Sequence, residues 1–576
     1  MTDSSASSVH PTPPRDTVNV LWGDGRRFEA PVGATLEAFV RAAYGEESVM
    51  IIAAIVNGKL RELSYKLTYD VSASPVRVDT EDGARIYRRG LTFLMIAAAA
   101  ELFPGVEVRV DHSLSSGGYF CQVRGRENFT AYELGELANR MREMVVENLP
   151  LTKEAVPLAA ALEMFQLRGD ADKVKLLAQR RKDYLVIYRL GLFADYFHGY
   201  MPPSTGYLRW FDLQPVEAGF ILQFPQRSAP TTLEPPREHE RLMKTFREYG
   251  QWLDRLGVGD VGALNDTISS GRVRELILVS EALHEQRIAQ IASRIAGGDA
   301  EGRGGVRLVL IAGPSSSGKT TFSKRLAVQM LANGLRPFAL AMDDYFLDRQ
   351  ATPRDDKGEY DFESIRALNL ERFNDDLAAL MAGKEVALPH YNFRAGRSEP
   401  GVIVRLHEES VIVVEGIHGL NPALASHIPA ERLMRIYVSA LTQLNLDRHN
   451  RVNTTDTRLI RRIVRDAATR GYSATDTLKR WESVRRGEGL YIFPHQENSD
   501  VMFNSALVYE LAVLRPLAEP LLLQVQPNTS EHLEAKRLLT LLGWFQPCPV
   551  DYVPDNSILR EFASGSIFER FKLWSV

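Results

Sequence analysis

The patterned part of the chain opens with a short apolar strand at residues 18–21. The hairpin signal Asp24-Gly25 follows, then a second strand through Phe28 and Ala30. The pattern breaks over residues 31–35. Thr35 is the right residue type to cap a helix through Leu36, Phe39 and Val40, with Glu37 in its first turn. Residues 50–56 are apolar, Asn57-Gly58 is another hairpin signal, and residues 59–63 return along it. Strand, turn, strand, helix, strand, turn, strand in so short a stretch predicts a small β-grasp module.

The period turns helical over 88–103. Residues 106–110 and 118–123 predict strands, 132–148 and 153–168 helices, and 207–224 two strands on either side of Gln214-Pro215. Helices are expected at 238–256 and 272–295, the second with Leu276, Val279, Leu283, Ile288 and Ile291 along its apolar face. Residues 297–305 are rich enough in glycine to predict a flexible joint. Beyond it, strands at 308–312, 338–342, 411–414 and 435–438 are expected, with helices at 319–332 and 370–381 between them. A last strand and helix fall at 500–509 and 511–524, and a helical cap follows Ser530, with a helix start at Asp555-Asn-Ser557. Continuous apolar strands joined by helices predict a parallel sheet covered on both faces. The expected fold class is multidomain α/β.

The chain has 576 residues, room for roughly three to five domains. With 45% hydrophobic and 25% charged residues it is globular, which excludes collagen, coiled-coil and bulk-disorder classes. Lys and Arg number 69 against 73 Asp and Glu, a net charge of −4, so no global basic excess draws it to nucleic acid. Its 2 cysteines, Cys121 and Cys548, lie far apart without CxxC partners. That argues against a disulfide scaffold or a thiolate zinc site and fits a reducing, cytoplasmic setting. No stretch reaches the about 20 apolar residues a bilayer span needs, so no membrane is expected. Residues 1–15 lack an apolar core and a basic start and predict a disordered tail, not a signal peptide.

The strongest chemical signal is Gly313-Pro-Ser-Ser-Ser-Gly318-Lys319-Thr320, which matches G-x-x-x-x-G-K-[ST] between an apolar strand and an amphipathic helix. Glycines let the backbone curl so that successive N–H groups converge on phosphate oxygens, and the helix N-terminus adds positive potential. Gly313, Ser315, Ser316, Ser317, Gly318, Lys319, Thr320 and Thr321 are the expected ATP-binding set. Lys319 is placed to clamp the outer phosphates, and the Thr320 hydroxyl to ligate Mg²⁺. Asp343, at the end of the second strand, is the candidate base for an attacking hydroxyl. Glu415, at the end of another buried strand, is the second candidate Mg²⁺ group. For both acids, capping a turn at a strand end is the structural alternative. Arg458, Arg461, Arg462 and Arg465 fall on one helix face, where guanidinium groups can close over phosphates and stabilise transferred charge. A solvated helix face is the alternative there.

These residues, with Asp343-Asp344-Tyr345-Phe346, Tyr360-Asp361-Phe362, Leu388-Pro-His-Tyr391-Asn-Phe393 and Val414-Glu415-Gly416 in that order, resemble the uridine kinase and phosphoribulokinase family of P-loop kinases over about 306–525. The resemblance implies that Asp343 activates a sugar hydroxyl. It implies that Asp361 and Arg458 hold ribose hydroxyls, Tyr391 and Phe393 line the base pocket, and Arg461, Arg462 and Arg465 belong to a lid. In the family a His after the Tyr-x-Phe reads the pyrimidine edge; here Phe393 is followed by Arg394-Ala-Gly396-Arg397. Residues 443–455 are also longer than the corresponding loop.

Residues 18–78 resemble the TGS domain, and 88–224 the second additional, editing domain of threonyl-tRNA synthetase. The carriers are Glu101-Leu-Phe-Pro104, Gly117-Gly-Tyr-Phe120 and Pro203-Ser-Thr-Gly-Tyr207. Where that domain has a His-x-x-x-His pair and later a Cys and a His, this chain has Arg89, Phe93, Phe197 and Met201. None supplies an imidazole or thiolate, so neither editing nor a metal is expected in this half, and His112 and His198 are read as structural.

The expected organisation is a tail (1–16), a TGS-like β-grasp domain (17–79), a synthetase-like α+β domain (80–232), a helical connector (233–297), a Gly-rich linker (298–305), a P-loop nucleoside-kinase-like domain (306–528) and a helical cap (529–576). The expected function is an ATP- and Mg²⁺-dependent kinase acting on a hydroxyl of a nucleoside (uridine- or cytidine-like) or related ribose-bearing small molecule. A homo-oligomer is left open. The alternative is an RNA- or ribosome-associated regulatory ATPase that uses the synthetase-like half for RNA. Lys175, Arg180, Arg181 and Lys182 with Tyr184 and Tyr188 would supply a basic, stacking groove, unless they are a solvated helix.

Overall fold

The computed structural model describes residues 15–114, 117–235, 239–297, 305–354, 358, 360–392 and 395–571. Most of the expected tail and of the glycine joint, and Phe393 and Arg394, lie outside the described residues.

At the N-terminal end, five strands form a mixed sheet in the order Arg27–Pro31, Thr17–Trp22, Val71–Arg77, Ile51–Val56, Lys59–Glu62. Both turn signals are realised: Gly25 has φ 87°, and Asn57 and Gly58 have φ 47° and 72°, the left-handed pair that a tight hairpin needs. Thr35 caps the helix Leu36–Tyr44 by accepting from the Ala38 N–H. The strand Val71–Arg77 is absent from the sequence expectation because Pro75 argues against a strand. It pairs opposite Ala54, beside a register shift in the partner strand.

In the second unit an antiparallel sheet runs Asp212–Val216, Gly219–Gln223, Gly118–Arg124, Glu107–Leu114, with the helices Glu81–Leu102 and Ala131–Glu147 packed into the same core. Gln214-Pro215 is not the turn. It lies inside Asp212–Val216, where an edge position tolerates the proline. The expected helix over 153–168 divides into the strand Thr152–Pro157 and the helix Leu158–Arg168, because Pro157 holds its neighbour extended and stands at the helix N-cap. That strand pairs with Tyr184–Leu190, which pairs in turn with Phe193–Asp195.

The C-terminal half is built on a five-stranded parallel sheet in the order Arg336–Ala341, Ser410–Glu415, Leu308–Ala312, Leu433–Ser439, Val501–Asn504. Every residue of the central strand Leu308–Ala312 is buried, as helices on both faces require. The segment expected as a connector is part of this core. Leu253, Val261, Leu276 and Ile288 share one apolar cluster with Val309, Phe322 and Ile436, and the C-terminal Leu538, Ile558 and Phe562 join it.

The long loop before the arginine helix Thr454–Thr469 is inserted into the synthetase-like half. Asn445 donates to the carbonyls of Val110 and Asp111, Asn450 to that of Tyr196, and the Val110 N–H to Arg448 O. His449 Nδ1 lies 2.7 Å from Asp195 Oδ2. The buried Lys173 lies between Asp195 (3.2 Å) and Asp447 (3.1 Å). No helix among the described residues is long and apolar enough to cross a membrane.

Candidate functional site

The loop after Leu308–Ala312 is shaped by positions that admit no side chain. A Cβ on Gly313 would sit 1.9 Å from the carbonyl oxygen of Val438. Gly318 has φ +84°, and its Cβ would meet Ile558 at 2.5 Å. The helix Lys319–Ala332 starts there. Lys319 Nζ is folded onto its own loop, donating to Gly313 O (2.9 Å) and Pro314 O (3.3 Å), and burial lowers the pKa of its ammonium. The Thr320 hydroxyl donates to Glu415 Oε1 across 3.0 Å. Burial raises the Glu415 carboxyl, while Lys319 and Thr320 oppose that shift and the nearby charge of Asp343 adds to it.

Two amides, one in the loop and one in the first turn of the helix, already hold anionic oxygens. Ser315 N–H donates to Glu488 Oε1 at 2.8 Å, and Thr321 N–H to Glu561 Oε2 at 3.1 Å. A nest that seats carboxylates fits phosphate, and the paired oxygens of Thr320 and Glu415 are the hard donors that Mg²⁺ takes. Glu488 closes the run 480–488, which the sequence offers either as a segment near the lid or as a solvated helix face; Glu561 carries no sequence signal, since it reaches the loop from a distant element.

Asp343 stands on a short turn, Met342–Tyr345, just past the strand Arg336–Ala341. Its carboxylate is exposed, and no side-chain hydrogen bond holds it among the described residues. Partial burial, then the Asp344 charge, raise its pKa. Asp344 faces the other way, accepting from Tyr391 N–H at 3.1 Å and lying 3.0 Å from His390 Nδ1.

The arginine face divides. Arg462 donates to the Ser315 hydroxyl at 2.7 Å, on the rim of the loop. Arg465 pairs with Asp466 at 2.9 Å. Arg461 is not in a lid. It is fully buried, bound to Glu510 (2.5 Å) and Ser505 O (2.8 Å), and braces the loop from beneath. Arg458 is also buried, with Nη1 and Nη2 on the two oxygens of Glu488 at 2.5 and 2.9 Å and Nη1 on Ser315 O at 3.1 Å. It pairs with Glu488 and not with Asp361, its expected partner on ribose. Asp361 instead accepts from Tyr491 OH at 2.6 Å. Tyr391 is buried, with its ring 5.6 Å from that of Phe346. His418, three residues past Glu415, is a further buried group here. Burial pushes its pKa down to about 4, and its ring lies 5.8 Å from that of Tyr491.

The model of the Phosphoribulokinase / Uridine kinase family matches residues 308–512, the span that holds the loop, Asp343, Glu415 and the arginine helix. The C-terminal half carries a domain of this kinase family. Among solved structures, this chain is similar to a possible uridine kinase from Bacillus stearothermophilus (22% identity, 26% of this chain and 79% of that one, TM-score 0.22). It also aligns with D-glycerate 3-kinase from Cryptococcus neoformans (13% identity, 40% and 88%, TM-score 0.23). The N-terminal part is similar to threonine–tRNA ligases: 33% identical over 202 residues to that of Acidithiobacillus ferrooxidans, and 29% over 205 residues to that of Streptococcus pneumoniae. Those matches cover 34% and 35% of this chain, and the chain spans about 30% of the length of the first and 31% of the second.

In the synthetase-like part, the rings of Phe93 and Phe197 pack 5.1 Å apart, Met201 is buried with them, and Arg89 donates to Tyr200 O at 2.6 Å. His112 is stacked on Phe246 at 3.6 Å, and His198 accepts from the Trp544 indole at 3.2 Å, with burial pushing its pKa down to about 3. Of the basic and aromatic run expected as an RNA groove, Lys175, Arg181, Lys182 and Tyr184 are exposed, with Lys182 over the Tyr184 ring, but two members are otherwise engaged. Tyr188 is buried, with its hydroxyl on Glu62 at 2.6 Å, and Arg180 lies over Trp544.

Proposed function

We propose that the chain is an ATP- and Mg²⁺-dependent phosphotransferase acting on a hydroxyl of a nucleoside or a related ribose-bearing small molecule. The observation that carries this reading is the Thr320–Glu415 pair at 3.0 Å, beside Lys319 and electrostatically coupled to the exposed Asp343. ATP would supply the phosphoryl group, and Mg²⁺ would screen its charge. The loop amides and Lys319 hold phosphate oxygens, Thr320 and Glu415 hold the cation, and Arg462 faces the rim where charge spreads during transfer. Asp343 takes the proton of the acceptor hydroxyl as its oxygen bonds to the γ-phosphorus, the bridging P–O bond breaks, and ADP leaves. Burial and the neighbouring Asp344 charge raise the Asp343 pKa, which strengthens it as a base.

The test is γ-labelled ATP against a panel of nucleosides and sugar phosphates, with RNA in a separate arm. Label transfer to a ribose-bearing acceptor is expected, lost in Asp343→Asn while ATP binding is kept. ATP turnover stimulated by RNA alone, or wild-type transfer by Asp343→Asn, would overturn it.

A further inference from the structure

The C-terminal segment ends its packing on the phosphate loop. Ile558 fills the space above Gly318, Phe562 lies against the Arg461 guanidinium at 4.9 Å, and Lys324 donates to Phe568 O at 2.7 Å. These contacts fasten the short helix Arg560–Ala563 across the start of Lys319–Ala332. From it Glu561 projects one carboxylate oxygen that accepts both the Thr321 N–H (3.1 Å) and the Thr321 hydroxyl (2.9 Å).

Glu561 differs from the other acid on the loop. Glu488 has both oxygens matched by Arg458, so it is a neutralised wall of the site. Glu561 has no ion pair among the described residues. What holds its charge is the first turn of the helix, the place where free N–H groups and the helix dipole bind phosphate. One N–H cannot serve a carboxylate and a phosphate oxygen at full strength, and two anions so close repel.

We propose that Glu561 is a built-in competitor for nucleotide phosphate, an autoinhibitory contact that the nucleotide must displace. This rests on the reading of the loop as a nucleotide site. Glu561 is only partly buried, so its side chain leaves the amide by rotation while Ile558 and Phe562 keep the segment in place.

Calorimetry on the full chain tests it, comparing wild type with Glu561→Gln and Glu561→Ala against MgATP, tripolyphosphate and adenosine. The Gln variant keeps an acceptor for Thr321 and so preserves the seating of the segment; melting curves check both. Loss of a charge-assisted hydrogen bond should tighten MgATP and tripolyphosphate roughly tenfold and leave adenosine unchanged. Equal or weaker binding of the phosphate ligands by both variants overturns the proposal and leaves the nucleotide reading intact. So does an equal gain for adenosine. Failure of all three proteins to bind MgATP or tripolyphosphate removes both.

Discussion

Arg448 and Asp172 are joined through side chain and backbone: Nη2 donates to Oδ1 at 2.7 Å, Nε lies 3.0 and 3.1 Å from the two carboxylate oxygens, and the Arg448 backbone N–H donates to Oδ2 at 2.7 Å. The arginine belongs to the loop inserted from the kinase-family half, and the aspartate to the helix Ala171–Ala178 of the synthetase-like half. Both charges are largely screened from solvent, and although Glu107 and Asp170 also face Arg448, removing Asp172 takes away the partner that holds it most closely. Asp172→Ala should destabilise the chain by about 2–3 kcal/mol in urea unfolding, the range for a hydrogen bond to a charged partner. The double variant with Arg448→Met should cost less than the two single losses added together. Strict additivity would show that the pair carries no coupling.

The same seam sets an acid limit. Asp195 is fully buried, but the charges of Lys173 and Arg168 and its hydrogen bond with His449 outweigh that burial and hold its carboxyl far below the usual carboxylate range, and Asp172 is lowered to about 2. Folded values below unfolded ones mean that these acids stabilise the fold above about pH 4 and lose that contribution as pH falls through their folded values. The melting temperature should therefore hold from pH 7 to 5 on account of these groups and drop below pH 4. Asp195→Asn should be less stable at pH 7 and flatter below pH 4. A parallel, shifted profile would exclude Asp195 as the titrating group.

Much of this was legible because its physics is local. Gly313, Gly318 and Lys319 announce a phosphate loop within one turn of chain, and the apolar runs that became the parallel sheet need no partner to be recognised. Glu488 and Glu561 are a different case: they meet the loop from 173 and 240 residues away, and no spacing rule links them to it. The length of residues 443–455 was visible, but its destination was set by buried polar pairings with another unit. The arginine face was visible too, yet helical spacing places four side chains on one stripe without saying which lies under the loop and which beside it.

That division separates stability from catalysis. Arg461 is buried with Glu510, so Arg461→Met strands a buried carboxylate and should cost about 3–5 kcal/mol of stability. Arg462 is on the rim, on the Ser315 hydroxyl, and the carboxylate it also pairs with, Asp466, keeps Arg465 and Arg470 when Arg462 is removed. Arg462→Ala should leave the melting temperature within a few degrees and lower kcat by roughly a hundredfold, the scale of one lost transition-state donor. Thermal melts beside steady-state phosphoryl transfer check both. An Arg462→Ala variant with wild-type kcat would place it outside the machinery.

On the proposed reading, in which Asp343 is the base, Asp344 is its positioning residue. Its carboxylate takes the Tyr391 N–H at 3.1 Å and lies 3.0 Å from His390, which fastens the turn Met342–Tyr345 to the strand Val386–Asn392. Without that fastening the neighbouring Asp343 loses its fixed aim, and a misplacement on the order of 1 Å costs as much as a hundredfold in rate. Asp344→Ala should lower kcat by at least roughly tenfold while nucleotide affinity, governed by the loop on another strand, stays unchanged. Asp344→Asn retains an oxygen for Tyr391 N–H and should recover part of the loss. The comparison needs kcat and an independent nucleotide Kd for each variant. Equal losses in both variants would mean that the charge of Asp344, rather than its hold on Tyr391, is what the site uses.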